Sequence, residues 1–259
     1  MAYYLAVLIL IRLTGGLMLE RKGDQRMNFA QLTGQDDAAL IQFDGYFLHP
    51  DAVDDWSSLQ FNATQAGFDL AIASAYRSFS RQLLIWNEKA TGIRPVYDGK
   101  GQPLPVDTLS PTDLVFAILR WSALPGGSRH HWGTDLDVYD RSAVADDYVV
   151  QLNDEEVQPG GVFAALHDWL DQRIENQQSF GFYRPYITTA LSQSEKPMGI
   201  AAERWHLSHR PSAGLFSQEL TRDALYRVIE SQPEMQLQST VLAHLDEIFT
   251  RFINASAIG

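Results

Sequence analysis

Residues 128–137 read SRHHWGTDLD and combine two histidines, two aspartates and a glycine. Polar and apolar side chains alternate through residues 135–139 (DLDVY), which predicts a β-strand. Gly133 precedes that strand and supplies a turn. Residues 205–209 (WHLSH) alternate in the same way and predict a second short strand. Each predicted strand carries side chains that can bind protons or metal ions.

Helical patterns dominate the rest of the chain. Ser78 or Ser80 is predicted to cap a helix that runs through Ala90, and Ser110-Pro111 to begin one that ends near Trp121. Apolar spacing predicts further helices over residues 51–65, 160–174, 218–230 and 237–252.

Few other strands are indicated. Residues 69–76 (DLAIASAY) predict a buried strand, and the Gly- and Pro-rich residues 92–105 predict a long surface excursion. Because the strands are few and do not alternate strictly with helices, we expect an α+β fold. This fold is a single domain with a small, mostly antiparallel sheet and helices packed on it.

Composition excludes several classes of protein. The 259 residues include no cysteine, which excludes a disulfide scaffold, a cysteine-ligated zinc finger, an iron–sulfur centre and a thiol nucleophile. Lys and Arg number 20 against 32 Asp and Glu, giving a formal net charge of −12. Duplex binding needs a basic surface, and no Lys/Arg cluster would build one, so we expect no nucleic-acid partner.

Residues 1–26 form an apolar extension ahead of the domain at residues 27–259. Its apolar run at residues 3–11 is broken by Arg12, and it is shorter than the roughly 18–20 apolar residues of a membrane span. A secretory signal requires a basic residue ahead of the apolar run and a cleavage site after it, and this sequence has neither. The extension is a short membrane anchor, a helix packed on the domain, or a sequence ahead of the true start at Met27.

Four of the seven histidines lie in two clusters that also carry carboxylates. Two His and one Asp satisfy a catalytic zinc site, which uses three protein ligands and one open position for water. His130 and Asp137 are seven residues apart and would face opposite sides of a straight strand, but the turn at Gly133 lets them converge. Glu203 is expected at a turn, close to His206 without necessarily binding metal. An HH pair or an isolated E-x-x-H also occurs by chance, so it is their joint occurrence that favours a metal site.

Three motifs in order resemble those of the D-alanyl-D-alanine metallopeptidases. Residues 128–137 match S-x-H-x-x-G-x-A-x-D at all but one of its specified positions, residues 203–206 (ERWH) match E-x-W-H, and residues 74–78 (SAYRS) with Gln82 are similar to S-G-Y-R-S…Q. The resemblance spans residues 69–209, more than half of the chain. The group includes vancomycin-resistance D,D-carboxypeptidases, phage endolysin peptidases and, more distantly, the hedgehog amino-terminal domain, within the lysostaphin/D-Ala-D-Ala peptidase/hedgehog fold group.

Asp135 departs from the family pattern, which has a small residue, usually Ala, at this position. Asp135 and Asp137 face the same side of a regular strand. Asp135 could therefore compete as a metal ligand, hold a ligand histidine by a hydrogen bond, or face a polar pocket. We expect that it is not a metal ligand, because the family's ligand set is complete without it.

The resemblance implies one Zn²⁺ per chain, held by His130, Asp137 and His206, with water as the fourth ligand. It implies that Glu203 takes a proton from the water and passes it to the leaving amine. His131 and His209 receive no ligand role.

The resemblance also implies three residues that bind substrate. Arg77 would stabilise the tetrahedral oxyanion or bind a peptide carboxylate. Ser128 would hydrogen-bond to substrate, and Gln82 would either contact substrate or hold a residue that contacts it.

The implied function is a zinc metallopeptidase that hydrolyses the D-alanyl-D-alanine bond of peptidoglycan peptides, most simply as a carboxypeptidase. A cell-wall endopeptidase of the same fold and a non-catalytic zinc-containing binding module are the alternatives. We expect a monomer whose partner is a peptidoglycan peptide or precursor. This substrate favours the bacterial cell envelope, either periplasmic or anchored through residues 1–26, whereas a start at Met27 favours the cytoplasm.

Overall fold

The structure is a computed structural model that describes residues 28–186 and 199–254. The extension at residues 1–26 lies outside the described residues. Within the described part of the chain, no helix is both long enough and apolar enough to cross a membrane.

A four-stranded antiparallel sheet with the order β3-β4-β6-β5 occupies the centre of the fold, and β1 and β2 form a separate hairpin. The strands are β1 (Ile41–Phe43), β2 (Tyr46–Leu48), β3 (Leu70–Ser74), β4 (Asp135–Asp140), β5 (Phe182–Tyr183) and β6 (His206–His209). The small antiparallel sheet confirms the expected α+β class.

Helices surround the sheets. In the described residues they are α1 (Phe29–Leu32), α2 (Pro50–Gln65), α3 (Phe79–Ala90), α4 (Pro111–Trp121), α5 (Asp154–Val157), α6 (Ala164–Glu175), α7 (Arg210–Glu219), α8 (Arg222–Glu230), α9 (Gln238–Ala243) and α10 (Leu245–Ile248). Short 3₁₀ turns lie at Val106–Thr108, Arg129–Trp132 and Arg141–Ala143, and a π turn at Phe249–Ile253.

The central sheet has an apolar and a polar face. Because side chains alternate along a strand, Leu136 of β4 and Leu207 of β6 share one face, where both pack into the buried core with residues of α2 and α6. Asp137 and His206 share the opposite face and are also buried. A larger apolar cluster joins α3 and α4 to α7 and the helices that follow it.

Three of the predicted helices begin or end elsewhere. The helix predicted over residues 160–174 begins only at Ala164. Gly160 has a φ of +93°, and a Cβ on Gly161 would lie 2.4 Å from the Glu155 carbonyl oxygen. Both glycines therefore belong to a tight turn ahead of the helix.

The two C-terminal predictions were too long. Within residues 218–230, α7 ends at Glu219 and a new helix begins after Thr221, whose side chain accepts a hydrogen bond from Ala224 N. Residues 237–252 divide into α9, α10 and the π turn, with His244 at the break. The hairpin and β5 were missed because strands of two or three residues are too short to show a period.

The start of α3 gives a test of helix capping. Ser78 Oγ accepts a hydrogen bond from Arg81 N at 3.2 Å, so Ser78 rather than Ser80 is the N-cap. Ser78→Ala should lower the free energy of unfolding by about 1 kcal/mol. Ser80→Ala, at an exposed position in the first turn, should change it by less than about 0.5 kcal/mol. Urea unfolding of both variants measures the difference, and equal losses would contradict the capping role of Ser78.

Candidate metal centre

Strand pairing brings an aspartate and a histidine from two of the motifs together. Asp137 of β4 lies directly opposite His206 of β6, and Asp137 Oδ1 is 3.3 Å from His206 Nδ1. His130 comes from the 3₁₀ turn before β4, and its Nε2 is 3.4 Å from Asp137 Oδ2. One ligand atom from each of the three residues lies within 4.8 Å of the other two.

Gly133 makes the convergence of His130 and Asp137 possible. It has a φ of +66°, in the left-handed region. A Cβ at this position would lie 2.9 Å from His49 N, which donates a hydrogen bond to the Gly133 carbonyl oxygen. The turn between the two side chains therefore requires glycine, as the spacing predicts.

Hydrogen bonds leave one nitrogen of each imidazole facing the centre. His130 Nδ1 lies 2.8 Å from the Ala75 carbonyl oxygen, to which it can only donate, and this leaves Nε2 with its lone pair. His206 Nε2 lies 2.9 Å from Asp135 Oδ1. His206 Nδ1 is buried and has no hydrogen-bond partner among the described residues. Two imidazole nitrogens and a carboxylate are a donor set that fits a divalent metal ion such as zinc.

The electrostatics of the centre also suit a cation. Burial lowers the pKa of His130 to about 4, so its ring is neutral at neutral pH. Burial alone would lower the pKa of His206, but the hydrogen bond to Asp135 and the nearby carboxylates of Asp137 and Glu203 raise it well above its usual value. The carboxylates around His206 thus favour a positive charge, and a metal ion at Nδ1 can supply it in place of a proton.

Asp135 lies behind His206. It is fully buried, and besides His206 it accepts hydrogen bonds from Arg129 Nε at 2.8 Å and Thr134 Oγ1 at 2.6 Å. Ser208 Oγ donates to its second oxygen at 3.1 Å. Of the three interpretations left by the sequence, the structure favours the one in which Asp135 holds a ligand histidine.

Arg129 is a residue of the site that sequence reasoning missed. It is buried, and besides Asp135 it donates to Ser208 Oγ at 2.5 Å, Tyr183 Oη at 3.1 Å and Ser217 Oγ at 3.2 Å. Its signal was the unusual carboxylate at position 135, because a buried carboxylate requires a cationic partner.

Glu203 lies at the centre without being part of the converging set. It occupies the turn before β6, as the sequence predicts, and its Oε2 is 3.3 Å from His206 Nδ1. Its neighbour Arg204 is tied to Asp171 by hydrogen bonds of 2.9 and 2.7 Å and to the Val157 carbonyl oxygen at 2.6 Å. The chain that presents Glu203 is therefore anchored to α6.

Arg77 and Gln82 form a pair, with only Arg77 in the cavity wall. Arg77 N donates to the His130 carbonyl oxygen at 3.0 Å. Its guanidinium donates to Gln82 Oε1 at 3.0 Å and to Ser74 Oγ at 3.3 Å. Gln82 is fully buried and donates to the Ala123 carbonyl oxygen at 2.7 Å. Gln82 thus lies behind the guanidinium rather than in the cavity, because its amide oxygen and nitrogen both form hydrogen bonds with protein groups. We expect it to act on substrate only through Arg77.

The converging residues line a cavity of about 640 Å³. Ser128 lines it, and Ser128 Oγ is buried without a hydrogen-bond partner in the described residues, so this hydroxyl is available to a ligand. Arg77, Lys89 and Lys100 contribute positive charge to the cavity. Other parts of its wall come from residues 99–102 of the Gly- and Pro-rich excursion and from residues 151–155.

The other two clustered histidines make structural hydrogen bonds. His131 Nδ1 is 2.6 Å from the Arg77 carbonyl oxygen, and its Nε2 accepts from Gly126 N at 3.0 Å. Burial lowers the pKa of His131 to about 3. His209 bonds to Ser212 Oγ and Asp55 Oδ2, each at 2.9 Å. Neither belongs to the converging ligand set.

The position of Asp135 predicts how its loss affects metal binding. Asp135→Asn should keep the metal stoichiometry at saturating zinc, while zinc affinity falls about 10–100-fold because His206 loses the carboxylate that orients it. It should also lower the melting temperature, because Arg129 loses its buried counter-charge. Metal titration and thermal unfolding of Asp135→Asn and Asp137→Asn test this. Loss of stoichiometric zinc from Asp135→Asn, equal to that from Asp137→Asn, would make Asp135 a ligand.

Comparison with known proteins gives matches of three kinds. The family model described as "VanY: D-alanyl-D-alanine carboxypeptidase" matches residues 45–212. An uncharacterized protein of Haemophilus influenzae is 32% identical over 130 residues, covering 50% of this chain and 92% of that protein.

Two solved structures are similar at a lower level. VanYB in complex with D-alanine-D-alanine has a TM-score of 0.48 and 20% identity, and the match covers 76% of this chain and 91% of that chain. The vancomycin resistance D,D-pentapeptidase VanY from a VanB-type resistance cassette, in complex with Zn(II), has a TM-score of 0.46 and 21% identity, covering 72% and 88%. The family assignment does not depend on these two, because the family model alone matches more than half of the chain and includes all three motifs. The chain belongs to the VanY family of D-alanyl-D-alanine carboxypeptidases.

Proposed function

We propose that this protein is a zinc-dependent peptidase that removes the terminal D-alanine from peptidoglycan peptides. The observation that carries the proposal is the convergence of His130, Asp137 and His206 in the wall of a cavity, with Glu203 beside the unpartnered nitrogen of His206. Membership of the VanY family supports the substrate class.

Three protein ligands would hold the metal, His130 through Nε2, His206 through Nδ1 and Asp137 through its carboxylate. Three ligands leave a position open, the arrangement of catalytic rather than structural zinc sites. A zinc ion in such a site supplies an acidified water nucleophile and a Lewis acid for the scissile carbonyl.

Glu203 is the general base of the proposed reaction. Its carboxylate is partly exposed to the cavity and lies within 3.3 Å of His206 Nδ1, the nitrogen that faces the metal position. From there it can accept the proton of the attacking water and return it to the amine of the leaving D-alanine. The hydrogen bonds of the neighbouring Arg204 hold the chain segment that carries this carboxylate.

Arg77 and Ser128 bind the substrate in this proposal. Arg77 is held by Gln82 and Ser74, so its planar guanidinium is oriented before substrate binds. A fixed cation at this place stabilises the negative charge that develops on the carbonyl oxygen. The Ser128 hydroxyl, which lacks a protein partner, can hydrogen-bond to the peptide backbone.

The test is to incubate zinc-loaded protein with a pentapeptide that ends in D-Ala-D-Ala and to follow its mass. We expect loss of one alanine residue. Cleavage inside a cross-linked peptide, with the terminal alanine retained, would instead identify an endopeptidase. No turnover of any cell-wall peptide at full zinc occupancy would favour the non-catalytic binding module.

The ligand assignment predicts which variants lose metal. His130→Ala, Asp137→Ala and His206→Ala should each reduce bound zinc from about one per chain to near zero, because two ligands do not hold zinc tightly. His131→Gln and His209→Gln are matched controls that should retain it. Elemental analysis of dialysed protein gives the stoichiometry, and full zinc in His130→Ala would show that the site is misassigned.

The role of Glu203 predicts a variant that keeps metal but not activity. Glu203→Gln preserves shape while removing proton acceptance, so turnover should fall about 10²–10⁴-fold with zinc content and melting temperature unchanged. Glu175→Gln, an exposed carboxylate at the end of α6, serves as the control. An unimpaired Glu203→Gln enzyme would remove Glu203 from the mechanism.

A further inference from the structure

A lysine that no sequence motif singled out lines the same cavity as the metal centre. Lys89 lies in the last turn of α3 and faces the cavity together with Arg77 and Glu203. Within residues 28–186 and 199–254, no carboxylate lies within salt-bridge distance of its ammonium group. The adjacent Glu88 is paired with Arg94 instead.

The surroundings of Lys89 disfavour an isolated positive charge. Burial, together with the nearby cations Arg94 and Arg77, lowers the pKa of Lys89 to about 8, and Glu203 opposes this shift. Keeping a partly buried ammonium without a partner costs free energy. An anion bound in the cavity would offset that cost, so the side chain is placed to receive one.

Arg77, another cation that lines the cavity, is engaged with the reacting centre. Its guanidinium is fixed by Gln82 and Ser74, and its charge acts on Asp137 and Glu203. This position suits the oxyanion that forms at the scissile carbonyl. A second negative charge on the substrate would therefore need a different cation.

We propose that Lys89 binds the free C-terminal carboxylate of the substrate peptide and thereby makes the enzyme an exopeptidase. This inference rests on the proposed function and adds to it the residue that distinguishes a chain end from an internal bond. The leaving residue then lies between the metal centre and Lys89, with its carboxylate against the ammonium group.

Selectivity between substrates depends on whether the bound substrate neutralises the Lys89 ammonium group. A peptide acid supplies a charge-assisted hydrogen bond. A peptide amide, or a chain that continues past the scissile bond, covers the ammonium group without neutralising it, which is unfavourable. Lys89 thus favours acids and opposes extended peptides.

The experiment compares one pentapeptide in two forms, ending in D-Ala-D-Ala as the free acid and as the C-terminal amide. Binding is measured by calorimetry in the Glu203→Gln background to limit turnover, and kcat and KM are measured in the otherwise unchanged chain. The variants are Lys89→Gln, Lys89→Arg and, as control, Arg81→Gln. Arg81 is an exposed cation on the same helix and is not part of the cavity wall.

We expect the acid to bind more tightly than the amide. Lys89→Gln should weaken acid binding and raise its KM roughly 10–100-fold, while changing amide binding by less than about threefold. Lys89→Arg should keep much of the preference for the acid because it keeps the charge, and Arg81→Gln should keep all of it.

Two results would overturn the proposal in different ways. In the first, the parent chain releases alanine, but Lys89→Gln weakens binding of the acid and the amide equally or weakens binding of neither. Lys89 is then not the carboxylate anchor, and the proposed function stands. If the parent chain neither binds nor hydrolyses either form, the substrate class is wrong and the assignment of Lys89 fails with it.

Discussion

The antiparallel pairing of Asp137 with His206 sets the geometry of the candidate metal centre. Directly opposed residues in adjacent strands hold their side chains a few ångströms apart, so the pairing itself sets two of the three proposed ligands. His130 needs only the left-handed turn at Gly133 to reach them. The helices add the proposed substrate-binding groups around this pair, with Arg77 just before α3 and Lys89 at its end.

A buried ion pair supports the ligands from behind. Asp135 fixes the orientation of His206, and Arg129 offsets the charge of Asp135 and extends to Tyr183 and Ser217. A metal site with an uncharged residue at position 135 would not need Arg129 as a counter-charge. Asp135, which departs from the family pattern, is therefore accompanied by Arg129. The hydrogen bonds of Arg129 to Tyr183 and Ser217 connect the centre to β5 and α7.

Residues with a strong local pattern were predictable from the sequence. Alternation predicted both strands of the site, the resemblance to the family motifs implied the three proposed ligands, and the residues next to the second strand predicted the turn at Glu203. Arg129 and Lys89 carry no such pattern, because their significance arises from what the fold places beside them: a buried carboxylate for Arg129 and a shared cavity for Lys89. Short elements such as the β1–β2 hairpin likewise depend on tertiary packing rather than on a period.

Register links the apolar core to the chemistry of the site. The polar face of β4 and β6 buries groups whose removal from water costs several kcal/mol when they are unpaired, whereas Leu136 and Leu207 on the other face each contribute about 1.5–3 kcal/mol by burial. A slip of one residue in either strand would exchange its two faces, moving leucine into the cavity and a charged or polar side chain into the core beneath α2 and α6. The leucines thus penalise any one-residue slip from the register that sets Asp137 opposite His206, and they favour the geometry of the site without touching it.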